Sequence, residues 1–290
     1  MQSANRSIWI MGCGDIGRRV ARLYQKQAIS TIGWVASDHS VTLGQAQGIE
    51  MRQGDMDAGS FFPRNAFADK EIFWFVPPPK QGEVDSRLRR FLLAVQNAPK
   101  RIVLISTTGV YGDCAGRWID EDEPLKPTVA RAKRRLDAEL ALQAWMQQYQ
   151  GDGVILRVPG IYALDRLPIE RIQRAEPILN AAEAPWTNRI HADDLAQICQ
   201  QAMQVAPRGA IYNATDGNPS TMTDYFNQVA DYAGLPRPPQ ISLAEAQGAV
   251  SAGMLSYLQE SRRIRNDKLL KDLQITLQYP DLASALATKG

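Results

Sequence analysis

Three glycines near the start of the chain have the spacing of a turn that lets a backbone approach a phosphate. The motif GCGDIG, from Gly12 to Gly17, follows the apolar run SIWIM and precedes IGRRVARLY, whose apolar residues have a helical period. We expect Gly12 to make the tight turn, Gly14 to leave room for a pyrophosphate and Gly17 to let helix and strand pack closely. Asp15 and Ile16 open the helix, where free N–H groups bind anions. An ordinary glycine turn is the alternative, and the strand–turn–helix context favours dinucleotide binding.

The residues after the second predicted strand bear on which dinucleotide is bound. The run ISTIGWVA ends without a carboxylate, and the first acid, Asp38, comes slightly late to accept from a ribose 2′-hydroxyl. Ser37, His39 and Arg18 are candidates for a 2′-phosphate pocket, although solvated surface explains them equally well. The cofactor is therefore predicted to be NAD or NADP, with NADP slightly favoured.

A carboxylate and a thioether follow the third predicted strand. In RQGDMDAGS, Asp55 is placed to accept a hydrogen bond from an adenine amino group, and Met56 is placed to cover the adenine ring. The alternative for Asp55 is a cap on the next short helix. Both residues are candidate cofactor contacts.

Apolar runs and segments of helical period alternate through the first half of the chain and define the predicted scaffold. Strands are predicted at SIWIM, ISTIGWVA, EIFWFV, RIVLIS and GVILRV, and helices at IGRRVARLYQKQ, VDSRLRRFLLAVQNA and RAKRRLDAELALQAWMQQY. Continuous apolar strands separated by amphipathic helices predict a parallel sheet covered on both faces, which is a doubly wound α/β domain. This domain is expected to span residues 1–158.

The alternation loosens after residue 158, where prolines and arginines interrupt any regular element. Residues 159–290 are predicted to form a smaller lobe. From this lobe the helix ADDLAQICQQAMQ and the strand AIYNA are expected to return to the main sheet.

Composition and charge limit the classes of partner. The 290 residues are 44% hydrophobic, enough to bury a substantial core, and the net charge is +2 with mixed signs. Such a balance provides no long-range field for nucleic acid or an anionic membrane, so neither is an expected partner. No signal peptide or membrane-spanning run is recognised, so a cytoplasmic location is expected. Cys13, Cys114 and Cys199 show no metal-ligand spacing, and free thiols without a metal site are expected.

Five motifs occur in the order and spacing of a known family. GCGDIG, GDMD, STTGVYG, LRVPGIY and RIHADDLA together resemble the extended short-chain dehydrogenases/reductases, in particular the atypical NAD-dependent epimerase/dehydratase-like members. The resemblance implies a Rossmann domain with strand order 3-2-1-4-5-6-7 and a small C-terminal substrate lobe. It also implies a catalytic set made of a Ser or Thr, a Tyr and a Lys.

Only two of the three catalytic residues of the family have a counterpart in this sequence. In STTGVYG the family's hydroxyl falls on Thr107, which would orient a substrate oxygen. The family's lysine falls on Lys133, which would bind the nicotinamide ribose and lower the pKa of the tyrosine. The tyrosine position holds Val129, which can neither donate nor accept a proton, so the usual relay cannot run there. On composition alone, Thr107 is equally a strand-end hydroxyl and Lys133 part of a solvated helix face.

Another phenol could replace the missing tyrosine. Tyr111 lies near Thr107 along the chain and is the first candidate acid or base, and Tyr162 is the second. A phenol with a pKa near 10 needs a nearby cation to act as a base at neutral pH, and Lys133 is the expected cation.

Side chains of the later motifs are candidates for substrate contact. The resemblance implies a cleft lined by Trp118, Arg166, Trp186, Asn188 and Arg189. The arginines suit an anionic or diphosphate-bearing ligand, and ordinary surface is the alternative. His191 could titrate near a ligand, although a lone histidine is more often structural. Asp193 or Asp194 is expected to cap the following helix.

Two functions are compatible with these features. The first is an NAD(P)-dependent oxidoreductase, epimerase or dehydratase acting on a carbonyl or hydroxyl of a small polar substrate, with nucleotide sugars among the candidates. Hydride would pass between the nicotinamide and a substrate carbon held by Thr107, with Tyr111 or water supplying the proton. The second is a catalytically silent NAD(P)-binding sensor, which Val129 favours. The resemblance also implies a homodimer through the helices VDSRLRRFLLAVQNA and RAKRRLDAELALQAW.

Overall fold

A seven-stranded parallel sheet forms the centre of the protein. The computed structural model describes residues 7–58, 66–96, 99–249 and 257–288. The strands of the sheet are β1 Ser7–Met11, β2 Ser30–Val35, β3 Glu50–Gln53, β4 Glu71–Trp74, β5 Arg101–Thr107, β6 Gly153–Val158 and β7 Ile211–Asn213. Their order is 3-2-1-4-5-6-7, and each neighbouring pair is parallel. The predicted doubly wound α/β fold and its strand order are confirmed.

Helices cover both faces of the sheet. The α-helices of the described residues are α1 Asp15–Gln25, α2 Asp38–Gln45, α3 Ser86–Val95, α4 Ala130–Tyr149, α5 Ile169–Gln173, α6 Ala192–Val205, α7 Met222–Ala233, α8 Leu243–Ala249, α9 Asp267–Leu273 and α10 Leu282–Ala287. Helices α1, α6 and α9 pack on one face, and α3 and α4 pack on the other. Every residue of β4 and β6 is therefore buried, which explains why these strands are apolar apart from Glu71 and Arg157. No described helix has the length and apolar character needed to cross a membrane.

Helix α4 positions much of the site described below. Its residues Ala138, Leu142 and Trp145 share one face and are buried against the sheet. The N-cap residue is Val129, whose side chain makes no capping hydrogen bond. The last predicted residues of the preceding helix, 97–98, lie outside the described residues, and α3 ends at Val95.

Short strand pairs and a separate apolar cluster build the lobe. The pairs are Gly160–Tyr162 with Arg189–His191, Ile178–Leu179 with Gln240–Ile241, Trp186–Thr187 with Ser220–Thr221, and Trp118–Ile119 with Arg263–Ile264. Helix α6 and strand β7 return to the main sheet, and α9 does so too. Helix α9 is not among the elements expected from the sequence, because its seven residues are too short for a clear helical period. The domain boundary at residue 158 stays a prediction.

Candidate functional site

The glycine-rich turn joins β1 to α1 and passes close to the chain that leaves β4. Gly12 has a φ of +83°, and a Cβ there would lie 2.6 Å from the backbone nitrogen of Val76. A Cβ at Gly17 would lie 2.9 Å from Cγ2 of Ile10 on β1. Gly12 and Gly17 are thus required by the fold itself, in the tight turn and in the contact between helix and strand.

Gly14 differs from the other two glycines because the space beside it is open. Chain neighbours aside, the nearest atom that a Cβ at Gly14 would meet is the carbonyl oxygen of Gly12, at 3.9 Å. Gly14 has a φ of −77° and is the N-cap of α1, which has no side-chain cap. An open space in front of an uncapped helix N-terminus fits the pyrophosphate of a dinucleotide.

The side chains of Asp15 and Ile16 are engaged elsewhere. Oδ2 of Asp15 accepts hydrogen bonds from Nη1 of Arg166 at 3.0 Å and from Nε of Arg19 at 3.2 Å. The Ile16 side chain packs against the apolar core. The backbone N–H groups are therefore the part of Asp15 and Ile16 suited to a bound anion.

The predicted 2′-phosphate pocket of Ser37, His39 and Arg18 stays a prediction, because no hydrogen bond or common cavity joins these side chains within the described residues. Oγ of Ser37 caps α2 by accepting from the backbone N–H of Ser40, and it donates to the Ser40 hydroxyl at 3.0 Å. His39 is exposed on the first turn of α2. Arg18 lines a groove beside α6 that includes neither Ser37 nor His39.

Asp55 and Met56 lie in the turn after β3. Oδ1 of Asp55 accepts a hydrogen bond from the backbone N–H of Asp57 at 2.8 Å. The carbonyl oxygen of Met56 accepts from Arg90, and its side chain packs against the apolar cluster under α3 and α4. Asp55 thus closes the turn after β3, and both the adenine contact and the helix cap weighed for it stay predictions.

A cleft of about 740 Å³ opens at the carboxyl ends of β5 and β6. It is lined by residues 105–109, by the first turns of α4, by residues 158–161 and 186–189, and by the loop residues 77–80 after β4. Thr107 lies in this lining, and its Oγ1 accepts from the backbone N–H of Gly109 at 3.2 Å. Ligands of open α/β sheets bind at this edge, and the volume suits a small molecule.

The two candidate phenols lie outside the cleft. Tyr111 is 1% exposed, and its Oη donates to Oδ1 of Asn213 at 2.7 Å and accepts from Nη1 of Arg157 at 2.9 Å. Burial raises the pKa of Tyr111 to about 12, although Arg157 opposes the shift. Tyr162 donates to the carbonyl oxygen of Asp281, and burial raises its pKa as well. Neither phenol is placed to exchange a proton with a ligand in the cleft.

Lys133 also lies away from the cleft. Its Nζ donates to Oε1 of Glu83 at 2.6 Å in a partly exposed ion pair. Successive helical residues are about 100° apart, so Lys133 lies about 200° around α4 from Arg131, which lines the cleft. The cation at the end of β5 is instead Arg135, whose Nη1 donates to the carbonyl oxygen of Ile105 at 3.0 Å.

Three arginines at the start of α4 are functional candidates that the sequence analysis missed. Arg131, Arg134 and Arg135, called the α4 arginines below, all line the cleft. Counting back from Ala138 by three, four and seven residues gives these positions, so they continue the buried stripe of α4 beyond the sheet. By composition the run RAKRR is typical of a solvated helix face, but the spacing of its arginines from Ala138 indicates that they belong to the buried stripe.

Cations outnumber anions around the cleft. Among the described residues, the charged side chains of its lining are Lys80, the α4 arginines, Arg189, Arg262 and Glu260. Nη1 of Arg262 donates to Oε2 of Glu260 at 2.8 Å, so the carboxylate is already paired. Because cations outnumber anions in its lining, the cleft favours an anionic ligand.

Only part of the expected substrate surface faces the cleft. Trp186, Asn188 and Arg189 line it, as the resemblance implied. Trp118 and Arg166 do not, because Trp118 lies beside arginine side chains of the 263–265 segment and Arg166 pairs with an acid of α1. The substrate surface is therefore narrower than the five residues suggested.

The polar residues of RIHADDLA fasten α6 in place. His191 is the N-cap of α6, and its Nδ1 accepts from the backbone N–H of Asp193 at 3.2 Å, so neither aspartate is the cap. Burial lowers the pKa of His191. The Asp193 carboxylate binds Arg19 on α1, and Asp194 accepts two backbone N–H groups from residues 278–279.

The chain is similar to one family of enzymes. Residues 85–215 match the model of the NAD dependent epimerase/dehydratase family. No curated protein matches the sequence. The resemblance inferred from the five motifs is confirmed by the family match and by the fold.

Solved structures share this fold over nearly their whole length. A conserved protein of unknown function from Silicibacter pomeroyi DSS is 26% identical, with a TM-score of 0.84 and with 98% of this chain and 97% of that chain covered. UDP-glucuronic acid 4-epimerase from Bacillus cereus, solved with NAD, is 14% identical, with a TM-score of 0.76 and coverage of 97% and 96%. A dTDP-glucose 4,6-dehydratase from Streptomyces venezuelae, also solved with NAD, is 18% identical, with a TM-score of 0.78 and coverage of 98% and 95%.

Proposed function

We propose that this chain, a relative of the NAD dependent epimerase/dehydratase family, is an NAD(P)-dependent oxidoreductase of epimerase or dehydratase type that acts on a small, anionic, polar substrate. The observation that carries the proposal is the cationic cleft at the carboxyl ends of β5 and β6, with the Thr107 hydroxyl in its lining. Nucleotide sugars, which similar enzymes use, are candidate substrates.

The glycine-rich turn is the part of the chain suited to the cofactor. The open space at Gly14 and the N-terminus of α1 would hold the pyrophosphate. The loop after β4 joins this turn to the cleft, because Gly12 lies against Val76 and residues 77–80 line the cleft. A bound nicotinamide supplies hydride transfer, which none of the side chains can perform.

Thr107 is suited to orient a substrate oxygen. One acceptor position of its hydroxyl is used by the N–H of Gly109, so the hydroxyl hydrogen remains for donation into the cleft. Hydrogen bonding from Thr107 would hold a substrate carbonyl or hydroxyl at the end of β5. The α4 arginines would bind negative charge on the same substrate.

Proton exchange requires a group other than those the resemblance suggested. Val129 replaces the family tyrosine, and Tyr111 is buried away from the cleft. Tyr257 is the phenol in the described lining, half exposed, with the Arg131 guanidinium carbon 3.9 Å from its ring centroid. We therefore assign Tyr257 as the candidate acid or base.

A catalytically silent sensor is the second candidate function. The α4 residues that line the cleft favour this function. They are Val129, Ala132 and the α4 arginines, and none of them can exchange a proton with a substrate. A guanidinium stays protonated in proteins and cannot act as a general base. The sensor would bind the dinucleotide without turning over any substrate.

Dinucleotide binding provides the first test. Gly14→Val should weaken NAD and NADP binding by more than about tenfold, because its side chain fills the open space without strain elsewhere. Gly248→Val is the matched control, because a Cβ there meets no atom within 4 Å and the residue lies far along the chain in α8. Equal calorimetric affinities in the wild type and Gly14→Val would reduce the motif to a turn.

Turnover separates the two candidate functions. The wild type is incubated with NAD or NADP and a panel of nucleotide sugars and sugar phosphates, and products are identified by mass spectrometry. If the protein is an enzyme, the wild type should form an epimerised, dehydrated or oxidised product, and Gly14→Val should form none. Tight dinucleotide binding without any product would favour the sensor.

A further inference from the structure

We propose that a groove between α1 and α6 binds a small polyanion that carries phosphate groups. The groove has a volume of about 570 Å³, which suits a small molecule. Residues of α1 and α6 form its two walls, and Gln47, Asp165 and Gln278 complete the lining. It shares no lining residue with the cleft, so the proposal goes beyond the proposed function and does not rest on it.

Three cations follow one another along the wall that α1 provides. Arg18, Arg22 and Lys26, called the α1 stripe below, are four residues apart and lie on one face of the helix, over about 12 Å of its length. Their side chains form no hydrogen bond or ion pair with another described residue. Like charges at this spacing repel each other, and a bound polyanion would offset that repulsion.

The carboxylates of the groove do not neutralise the α1 stripe, because a fourth arginine binds them. The guanidinium of Arg19 forms ion pairs with Asp15 and Asp165, each at 3.2 Å. It also pairs with Asp193 on α6 at 2.6 Å. Asp15 accepts a second ion pair from Arg166 at 3.0 Å. The groove therefore holds one set of paired charges and, beside it, three cations without an anion among the described residues.

The donors of the groove favour phosphate groups over a single carboxylate. The guanidinium forks of Arg18 and Arg22 match the oxygens of a phosphate, and Lys26 adds a point charge. Because the stripe is about 12 Å long, one anionic group cannot reach all three cations. The side-chain amides of Gln47 and Gln197 line the groove and can donate to further oxygens. A linear polyphosphate, either free or part of a nucleotide, has this chemistry.

Titration with simple anions tests the site. Tripolyphosphate, inorganic phosphate and citrate, a tricarboxylate control, are titrated calorimetrically into the full chain with and without saturating NAD. We expect tripolyphosphate to bind at least about tenfold more tightly than the other two, and to do so equally with NAD present. Loss of this binding on addition of NAD, or equal binding of citrate, would overturn the proposal. With NAD present, tighter binding of ATP than of tripolyphosphate indicates a nucleotide ligand, and equal binding indicates a polyphosphate alone.

Substitutions on α1 locate the binding. Arg22→Gln and Lys26→Gln should each weaken tripolyphosphate binding about threefold or more, and the double variant about tenfold or more. Both residues are exposed, so their variants should fold normally. Lys271→Gln is the matched control, because it removes an exposed lysine from the last turn of α9, outside the groove. Equal losses in Lys271→Gln and Lys26→Gln would mean that only net charge acts, and they would overturn the site.

Dinucleotide affinities keep the outcomes separate. Arg22 lies in the last turn of α1 and Lys26 is its C-cap, away from the N-terminus suited to the pyrophosphate. The double variant should therefore bind NAD and NADP as the wild type does. A loss of NADP affinity alone would make the groove part of a 2′-phosphate pocket and would overturn the proposal. Tripolyphosphate binding that fails while NAD binding persists rejects the groove alone, and the reverse result rejects the proposed function alone.

Discussion

Two hydrogen bonds keep Tyr111 out of the cleft. Its Oη connects Arg157 on β6 with Asn213 on β7, and both partners are themselves buried. Arg157 also forms a buried ion pair with Glu139 of α4, with Nη2 and Oε2 2.9 Å apart. The phenol is thus one member of a polar network that joins two strands and a helix.

The two phenols should respond differently to loss of the hydroxyl. Tyr111→Phe leaves Arg157 and Asn213 each short of a partner, so the free energy of unfolding should fall by about 1–3 kcal/mol while kcat is kept. Tyr257→Phe should keep the stability and lower kcat by about 10²- to 10⁴-fold. Urea denaturation and turnover at saturating substrate measure the two effects. A Tyr111→Phe protein of normal stability and lost kcat would restore Tyr111 as the acid.

At the scale of elements, one stripe of α4 contains both the residues that pack on the sheet and the residues for which a binding role is proposed. Ala138, Leu142 and Trp145 pack this stripe on the sheet, and the α4 arginines extend it past the sheet edge. Val129 at the N-cap stabilises the helix start less than Ser, Thr, Asp or Asn would.

Capping α4 should therefore stabilise the protein. Val129→Ser adds a side-chain oxygen that accepts from a first-turn N–H. Relative to Val129→Ala, which removes the same branched side chain without adding a cap, we expect about 0.5–2 kcal/mol more stability in urea denaturation. Identical stability in the two variants would show that the start of α4 gains nothing from a side-chain cap.

At the scale of the whole molecule, Asp216 lies where the main sheet meets the lobe. It follows β7, its N–H donates to the carbonyl oxygen of Arg189, and its side chain is 7% exposed. Burial raises the pKa of Asp216 to about 7, and the nearby carboxylate of Asp281 adds to the shift. The N–H of Asn218 and the charge of Arg189 oppose it.

This raised pKa predicts a dependence of stability on pH. The folded protein holds the Asp216 proton more tightly than the unfolded chain, whose pKa is near 3.8. The stabilisation is therefore complete below about pH 4 and is lost as the pH rises toward 7. Asp216→Asn keeps a neutral acceptor for the N–H of Asn218 and should raise the free energy of unfolding at pH 8 by roughly 1–3 kcal/mol, with little change at pH 4.

Urea denaturation from pH 4 to 8 measures this difference. Asp122→Asn, the same change at an exposed residue, is the control and should follow the wild type. His191 contributes in the opposite direction, because burial lowers its pKa and its contribution is lost as the pH falls below about 6.5. Each variant is compared with the wild type at the same pH, so the contribution of His191 cancels. Parallel curves for the wild type and Asp216→Asn would show that Asp216 is ionised in the folded protein.

The sequence by itself determined the scaffold and the place of the glycine-rich turn. Apolar runs at β1, β2, β4, β5 and β6 and the periods of α1, α3, α4 and α6 are local patterns, and the five motifs supplied the strand order by resemblance. The tight turn and close packing expected of Gly12 and Gly17 follow from the absence of a Cβ, a property of the residue itself.

Only the tertiary structure decided which side chains reach the cleft. Tyr111 is close to Thr107 along the chain, yet partners from β6 and β7, 46 and 102 residues away, draw its hydroxyl into the sheet. Lys133 matches a family position, yet the packing of Ala138, Leu142 and Trp145 rotates α4 so that the α4 arginines face the cleft instead. Burial of the apolar stripe sets the rotation of the helix, and the end of β5 sets where that stripe leaves the core. Both depend on contacts between residues far apart in sequence, which a local pattern does not contain.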